Sequence, residues 1–194
     1  RSLRRQSVAA IIAERRRQPF VDLSDLCRRV ELQRKELTHL IQCGALDGLG
    51  ASRAALLADA KESGAQRFQL AFAFDEPAAE AEAPGERLEW ERKVLGQPVS
   101  VHPLATVARL PSTTVSLQQA SAHPGRRVQI AASRLPGWTG GKGYFVDDGA
   151  QFVVAIGQEK VARPKPWTPL LLTGRWLVDE WGGGWLQVEG WTEM

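Results

Sequence analysis

The sequence predicts an α+β protein: a helical N-terminal domain, a flexible acidic linker and a C-terminal small β-barrel. Three observations carry this. Apolar residues recur at helical spacing on both sides of a glycine-bounded break in Leu37 to Ala60. The stretch AFDEPAAEAEAPGE, ending at Glu86, is rich in Ala, Glu and Pro and poor in apolar anchors. From Arg126 onward, short alternating runs are separated by turn signals. The expected boundaries are 1–66 for the helical domain, 67–86 for the linker, 87–124 for a connecting helix and extended segment, and 125–194 for the barrel.

The first helix is expected over Ser2 to Arg17, where Val8, Ile11 and Ile12 form a narrow apolar stripe. Arg15, Arg16 and Arg17 suit its C-terminal end, where the helix dipole favours positive charge; a phosphate contact is the other reading of this run. Pro19 closes the helix. Asp22 or Ser24 caps the next one, which carries Leu26, Cys27 and Val30. In LTHLIQCGALDGLGASRAALLADA, Leu37, Leu40 and Ile41 precede the break Gly48-Leu49-Gly50, and Ala55, Leu56 and Leu57 follow it. The glycines supply the positive φ of a tight turn, and Leu49 is expected to point inward between two helices. The amides at the start of the second helix then face solvent, where a phosphate oxygen can sit. This is the helix-hairpin-helix pattern, a clamp on a nucleic-acid backbone indifferent to base sequence. Its rival is an ordinary αα-hairpin with a glycine C-cap.

The barrel reading rests on five runs. Val128 and Ile130 alternate with polar residues. Tyr144-Phe145-Val146 leads into Asp147-Asp148-Gly149, a hairpin turn signal, and Phe152 to Ile156 returns. Pro169 to Val178 is a long apolar strand, Trp181 to Trp185 a turn, and Leu186 to Trp191 the last strand. Five short strands with a break at Gln158 to Pro166 suit a Greek-key barrel of the OB type. Before them, Arg87 to Gly96 is a short helix and Pro98 to Leu104 an extended segment.

With 194 residues, 43% of them hydrophobic, the chain is long enough for a buried core. Its net charge of +3 is compatible with a nucleic-acid partner without demanding one. Cys27 and Cys43 are the two cysteines, so no disulfide framework is expected and the default compartment is the reducing cytoplasm. No run of about 18 apolar residues crosses a membrane. The chain begins at Arg1, which is read as a segment of a longer protein.

Three segments, in this order, resemble the C-terminal part of bacterial DNA polymerase III alpha subunits, the C-family replicases. Pro19 to Ala60, PFVDLSDLCRRVELQRKELTHLIQCGALDGLGASRAALLADA, is similar to a family stretch in which a cysteine-bearing helix leads into "L-i-k-a-G-A-f-D-s-L-G-x-x-R-a-a-L". Leu88 to Leu104, LEWERKVLGQPVSVHPL, resembles "w-E-k-e-x-L-G-x-y-x-S-x-H-P-L". GGKGYFVDDGAQFVVAI resembles the family's OB strand pair, with Asp147-Asp148 where a Leu-Glu-Asp run is usual. The resemblance implies template-directed DNA synthesis for the parent protein, cytoplasmic and bacterial. It does not give this chain that activity: no segment matches the palm with its metal-holding aspartates, the fingers or the PHP domain, which lie upstream in the family. Error-prone relatives share the same C-terminal order. The family carries an internal clamp motif between the hairpin and the LGQPVSVHPL segment. There QLAFAF resembles the Gln-x-x-Leu-x-Phe class of motif that docks on the sliding clamp, with Gln69, Phe72 and Phe74 at the matching positions.

The site residues expected from these readings are Gly48, Gly50, Ser52 and Arg53 on a duplex backbone. Arg127, Arg134 and Lys142 on one barrel face are expected to hold single-stranded DNA, with Trp138 as a stacking platform. No catalytic residue, cofactor or metal is assigned. His39, Cys43 and Cys27 fall short of four close zinc ligands. His102 is expected to hydrogen-bond structurally, and Asp147-Asp148 to turn the chain. Trp176 and Trp191 alternate like core residues. The expected partners are DNA, the sliding clamp and the rest of the polymerase. The competing function is a protein-interaction scaffold that uses hairpin and barrel without touching DNA.

Overall fold

Short helices need caps, and side chains supply several of them in this chain. In the computed structural model, residues 3–65, 81–137, 139, 141–158 and 161–194 are described. Gln69, Phe72, Phe74 and Trp138 lie outside them. Two units form, Arg1–Ser100 and Val101–Met194.

The first unit opens with α1 (Arg5–Arg17) and α2 (Leu23–Arg29). Asp22 caps α2, its Oδ1 accepting from Asp25 N at 2.7 Å. α3 (Arg34–Gln42) starts on Glu36, which reaches back to Gln33 N at 2.9 Å. α4 (Arg53–Ala65) starts on Ser52, whose Oγ accepts from Ala55 N at 3.1 Å. The apolar stripes of these helices meet in one cluster: Leu23, Leu26 and Val30, then Leu37 and Ile41, then Leu56 and Ala60. α5 (Pro84–Leu95) begins inside the expected linker. Pro84 at its first position, with Glu86 accepting from Ala83 N at 3.1 Å, is a ready helix start. Gly96 at φ 83° ends it.

The second unit is a closed barrel of β1 (Arg127–Leu135), β2 (Gly143–Asp147), β3 (Phe152–Gly157), β4 (Pro169–Val178) and β5 (Gly184–Glu193), in the order β1-β2-β3-β5-β4. These are the five strands the alternation marks. All neighbours are antiparallel except β3 and β5, which pair in parallel and close the barrel. Ile130 and Ala132 of β1, Tyr144 and Val146 of β2, and Ala155, Leu170, Leu172, Trp176, Leu186 and Val188 fill it. Trp191 packs against that core from its edge. The β4–β5 ladder shifts register between Thr173 and Gly174, where any Cβ would collide with the carbonyl oxygen of Gln187.

Two short elements interrupt the expected extended stretch: a 3-10 turn at Pro103–Thr106 and α6 (Leu117–Ser121). α6 is held by Ser116 Oγ, which accepts from Gln119 N at 3.1 Å, and by Asp148 Oδ2, which accepts from Leu117 N at 2.8 Å. Asp147 and Asp148 otherwise accept from the amides of Gly149, Ala150 and Gln151, as a turn requires. Among the described residues no helix is long and apolar enough to cross a membrane.

Candidate nucleic-acid interface

The hairpin is built from α3, a glycine stop and α4. α3 ends in a Schellman motif: Gly44 N donates to Ile41 O and Ala45 N to Leu40 O, both at 3.0 Å, with Gly44 at φ 78°. The helix therefore stops at Gly44, four residues before the glycine the apolar spacing points to. Gly50 at φ 87° uses its conformational freedom, and Gly48 does not. Gly48 and Gly50 are both exposed. Leu49, expected to pin the helices, is half-buried outside the apolar cluster; Leu46 and Ala51 pack against it instead.

Arg53 corrects the sequence reading. It is 2% exposed, so it offers no charge to a phosphate. Its guanidinium clasps Asp47, with Nε to Oδ1 at 2.8 Å and Nη2 to Oδ2 at 2.7 Å. It also donates through Nη1 to Glu91 at 2.9 Å and to the Gln42 carbonyl at 3.2 Å. A Cβ at Gly44 would strike this guanidinium, so the glycine is needed for space as well as for φ. Burial pushes the Glu91 carboxyl up, but hydrogen bonds from Ser100 Oγ and the Val99 and Ser100 amides, with Arg53, hold it below the usual glutamate value.

The α4 amides are taken as well. Ser52 accepts from Ala55 N, and Glu82 Oε2 accepts from Ala54 N at 3.1 Å. Glu82, its side chain fully buried, also takes Arg87 Nε at 2.7 Å. A carboxylate of the chain thus occupies the place expected to be open to a phosphate. The first unit does offer cations outward: Arg5, Arg15, Arg16, Arg34 and Lys35 are exposed, and none pairs with a carboxylate among the described residues.

On the barrel, Arg127, Arg134 and Lys142 do not share one face. Arg127 and Arg134 are seven residues apart on one strand, an odd separation that turns them to opposite sides. Arg127 lies outward and pairs with Glu189 at 2.8 Å, beside Arg175 at 3.0 Å from the same carboxylate. A groove of about 530 Å³ next to it is lined by Thr113, Gln119, His123, Arg126, Arg127 and Gln129. Arg134 shares the inward parity of Ile130 and Ala132 and stands at the far end of β1. Lys142 is exposed. His102 accepts from Leu104 N through Nδ1 at 3.2 Å, and its Nε2 lies 3.4 Å from Ser133 Oγ and 3.6 Å from Asp147 Oδ2.

The alternation of β3 sets one aromatic ring outside the barrel. Ala155 faces inward, so Phe152 faces out and is 66% exposed. It meets Phe145 edge to face, with ring centroids 6.1 Å apart. Trp181, in the β4–β5 turn, is 85% exposed. Since β3 and β5 are neighbours, the topology brings the β2–β3 and β4–β5 turns to the same end of the barrel.

Residues 1–56 match the helix-hairpin-helix motif family. The chain is 34% identical over 151 residues to an error-prone DNA polymerase of Alkalilimnicola ehrlichii, an alignment covering 73% of this chain and 15% of that protein. Among solved structures it is similar to asparaginyl-tRNA synthetase from Pyrococcus horikoshii, at 19% identity over 43% of this chain and 23% of that one, TM-score 0.36. It is also similar to a hypothetical protein from E. coli, at 15% identity over 43% of this chain and 94% of that one, TM-score 0.38. A replication protein A heterotrimer bound to ssDNA matches at 9% identity over 48% of this chain and 75% of that one, TM-score 0.32. The class is thus a helix-hairpin-helix unit followed by a small closed five-stranded barrel. Within that class the chain belongs with the C-terminal region of bacterial DNA polymerase III alpha-like proteins.

Proposed function

We propose that this chain is the non-catalytic, DNA-binding C-terminal part of a polymerase III alpha-like protein that synthesises DNA on a template. The observation that carries this is the 34% identity to an error-prone polymerase along 73% of the chain. That relative is an error-prone polymerase, which favours the error-prone branch over the replicative one.

The hairpin unit contacts duplex backbone through Gly48, Gly50 and the exposed cations of α1 and α3, without reading bases. Arg53 and Ser52 support it from inside by holding the loop and the start of α4. The barrel takes single strand against Phe152 and Trp181, whose exposed rings suit sequence-tolerant stacking, with Phe145 packed edge to face behind Phe152. Gln69, Phe72 and Phe74 dock on the sliding clamp, a reading supported by the QLAFAF motif alone.

The test is fluorescence anisotropy of labelled oligothymidine and of a duplex against the whole chain across a salt series. Binding of both is expected, with affinity falling as salt rises in proportion to the phosphates neutralised. Phe152→Ala with Trp181→Ala is expected to weaken single-strand binding about tenfold or more, at about 1–3 kcal/mol per stacked base, and to spare the duplex. Absence of binding to either nucleic acid at low salt leaves the scaffold function standing instead. Clamp docking is tested separately by calorimetry with the clamp of the same organism. Loss on replacing Gln69, Phe72 and Phe74 together by alanine is the expected result.

A further inference from the structure

One barrel end carries the β1–β2 connection, the β3–β4 connection and the end of β5. Residues 161–168 cross it as a strap, tied down at several points. Trp191 Nε1 donates to Ala162 O at 2.6 Å, Arg134 Nη1 to Pro164 O at 2.7 Å, and Trp167 N to Arg134 O at 2.7 Å. Trp167 holds φ 62°, a left-handed conformation uncommon for a bulky residue. Such conformations cluster where a ligand or a switch needs them.

Beside these ties, three buried side-chain atoms at this end have no hydrogen-bond partner among the described residues. Arg134 Nε is buried and has no hydrogen-bond partner. Tyr144 is 2% exposed, and its hydroxyl has none either. Thr139 Oγ1, beside Gly143, is a third such atom. Arg163 arches over from the solvent side, its Nη2 donating to Gly141 O at 2.9 Å and Gly143 O at 3.0 Å. Both guanidiniums interact electrostatically with Tyr144 and with each other. Neither pairs with a carboxylate among the described residues; every partner they have is a carbonyl. Burial and the Arg163 charge push the Arg134 guanidinium below its usual value. A protein interior ordinarily satisfies its buried donors and separates like charges. This barrel end does neither.

We propose that it binds a phosphoryl oxyanion between Arg134, Arg163 and Tyr144. Two guanidiniums and a phenol near enough to interact electrostatically, with donors unused, suit an anion with several oxygens, as a phosphoryl group has. The oxyanion neutralises the two like charges and accepts from the unpartnered hydroxyl. Arg163 is exposed at the rim of the site. The oxyanion site stands on the barrel alone; its identification as a phosphate of a bound DNA strand rests on the proposed function.

The experiment uses the whole chain. Inorganic phosphate is titrated against chloride at matched ionic strength, with thermal unfolding as the readout. Phosphate is expected to raise the melting temperature saturably where chloride does not. Arg163→Gln and Tyr144→Phe are each expected to weaken the apparent phosphate affinity about tenfold, the loss of one charge-assisted bond. Tyr144→Phe removes an unpartnered buried hydroxyl, so the fold is expected to survive it. Equal stabilisation by chloride, or variants that bind phosphate like the parent chain, overturns the site. The same variants are then measured with oligothymidine. A parallel tenfold loss makes the oxyanion a backbone phosphate. Loss of phosphate with oligothymidine binding intact keeps the site and overturns its DNA assignment. A chain that binds phosphate as expected but no oligothymidine at all overturns the proposed function and leaves the oxyanion site standing.

Discussion

The two units are held together in different ways. The helical unit buries ions. Arg53 joins Glu91 in its interior and reaches out to the exposed Asp47, and Glu36, 1% exposed, takes Arg4 N at 2.7 Å, Arg4 Nη2 at 3.0 Å and Ser7 Oγ at 3.1 Å. The barrel is apolar at its centre and puts its ion pairs outside, as at Arg127, Arg175 and Glu189. Helices of seven to thirteen residues present narrow stripes, so apolar burial alone leaves their angles poorly specified. Directional, desolvated contacts such as Arg53 to Glu91 hold the helices at a set geometry. A closed barrel has no free edge and needs no such ties.

The largest expected effect comes from breaking that contrast at its centre. Glu91→Ala leaves Arg53 buried with a partner missing, a loss that costs about 3–5 kcal/mol in comparable buried pairs. Hydrogen exchange read by mass spectrometry is expected to show lost protection in α3, α4 and α5, with β1 to β5 unchanged. The counterpart, Leu172→Ala, opens a cavity in the barrel core at a cost of about 2–5 kcal/mol. Its lost protection is expected in the strands and not in the helices. Spread of either effect into the other unit refutes separate unfolding of the two.

A smaller effect follows from pH, and its sign differs between the units. Hydrogen bonds from Arg4 hold Glu36 at about 2, below its ordinary 4.5. A lowered carboxyl stabilises the fold above its ordinary value and loses that share as pH falls through 4.5 toward 2. Burial pushes Tyr144 from 10.0 up to about 12. A raised phenol stabilises fully below its ordinary value and loses that share as pH rises from 10 through 12. Acid is therefore expected to loosen the helical unit first and alkali the barrel, checked by exchange at pH 3 and by near-ultraviolet dichroism at pH 11. Glu36→Gln is expected to flatten the acid limb alone. The smallest effect is on the surface. Arg15→Ala with Arg16→Ala is expected to leave stability within about 0.5 kcal/mol. If α1 lies on a duplex, the salt slope of binding is expected to fall by about 2.

Legibility followed the range of the determining contacts. The strands were readable because alternation over residues such as Val128 and Ile130 is local, and a turn such as Asp147-Asp148-Gly149 uses its own side chains. α6 was not, because a five-residue helix with a cap from Asp148, thirty-one residues away, has no local period. Arg53 looked exposed because it opens a helix after a glycine loop. Its partner Glu91 lies thirty-eight residues further on, and nothing in spacing pairs them. Glu82 eluded the reading for the same reason: an acidic, alanine-rich stretch looks like linker until its carboxylate is seen on Ala54 N. The exposed Phe152 was legible in principle, since inward Ala155 fixes its side, but a strand phenylalanine is read as core by habit of composition.

The parallel ladder between β3 and β5 sets the order in which the barrel can assemble. β1, β2 and β3 are joined by near-neighbour antiparallel pairings, and β4 adds to β1 across some forty residues. Residues 184–193 must then pair with β4 on one side and β3 on the other before Ala155, Leu186 and Val188 leave water together. Closure is thus the last and least local step, and contacts of that kind slow folding. During synthesis the four earlier strands wait with two open edges until the final strand emerges. A ribosome-bound chain lacking residues 184–194 is expected to expose that half-made sheet to chaperones and proteases, while the helical unit, made first, is already folded.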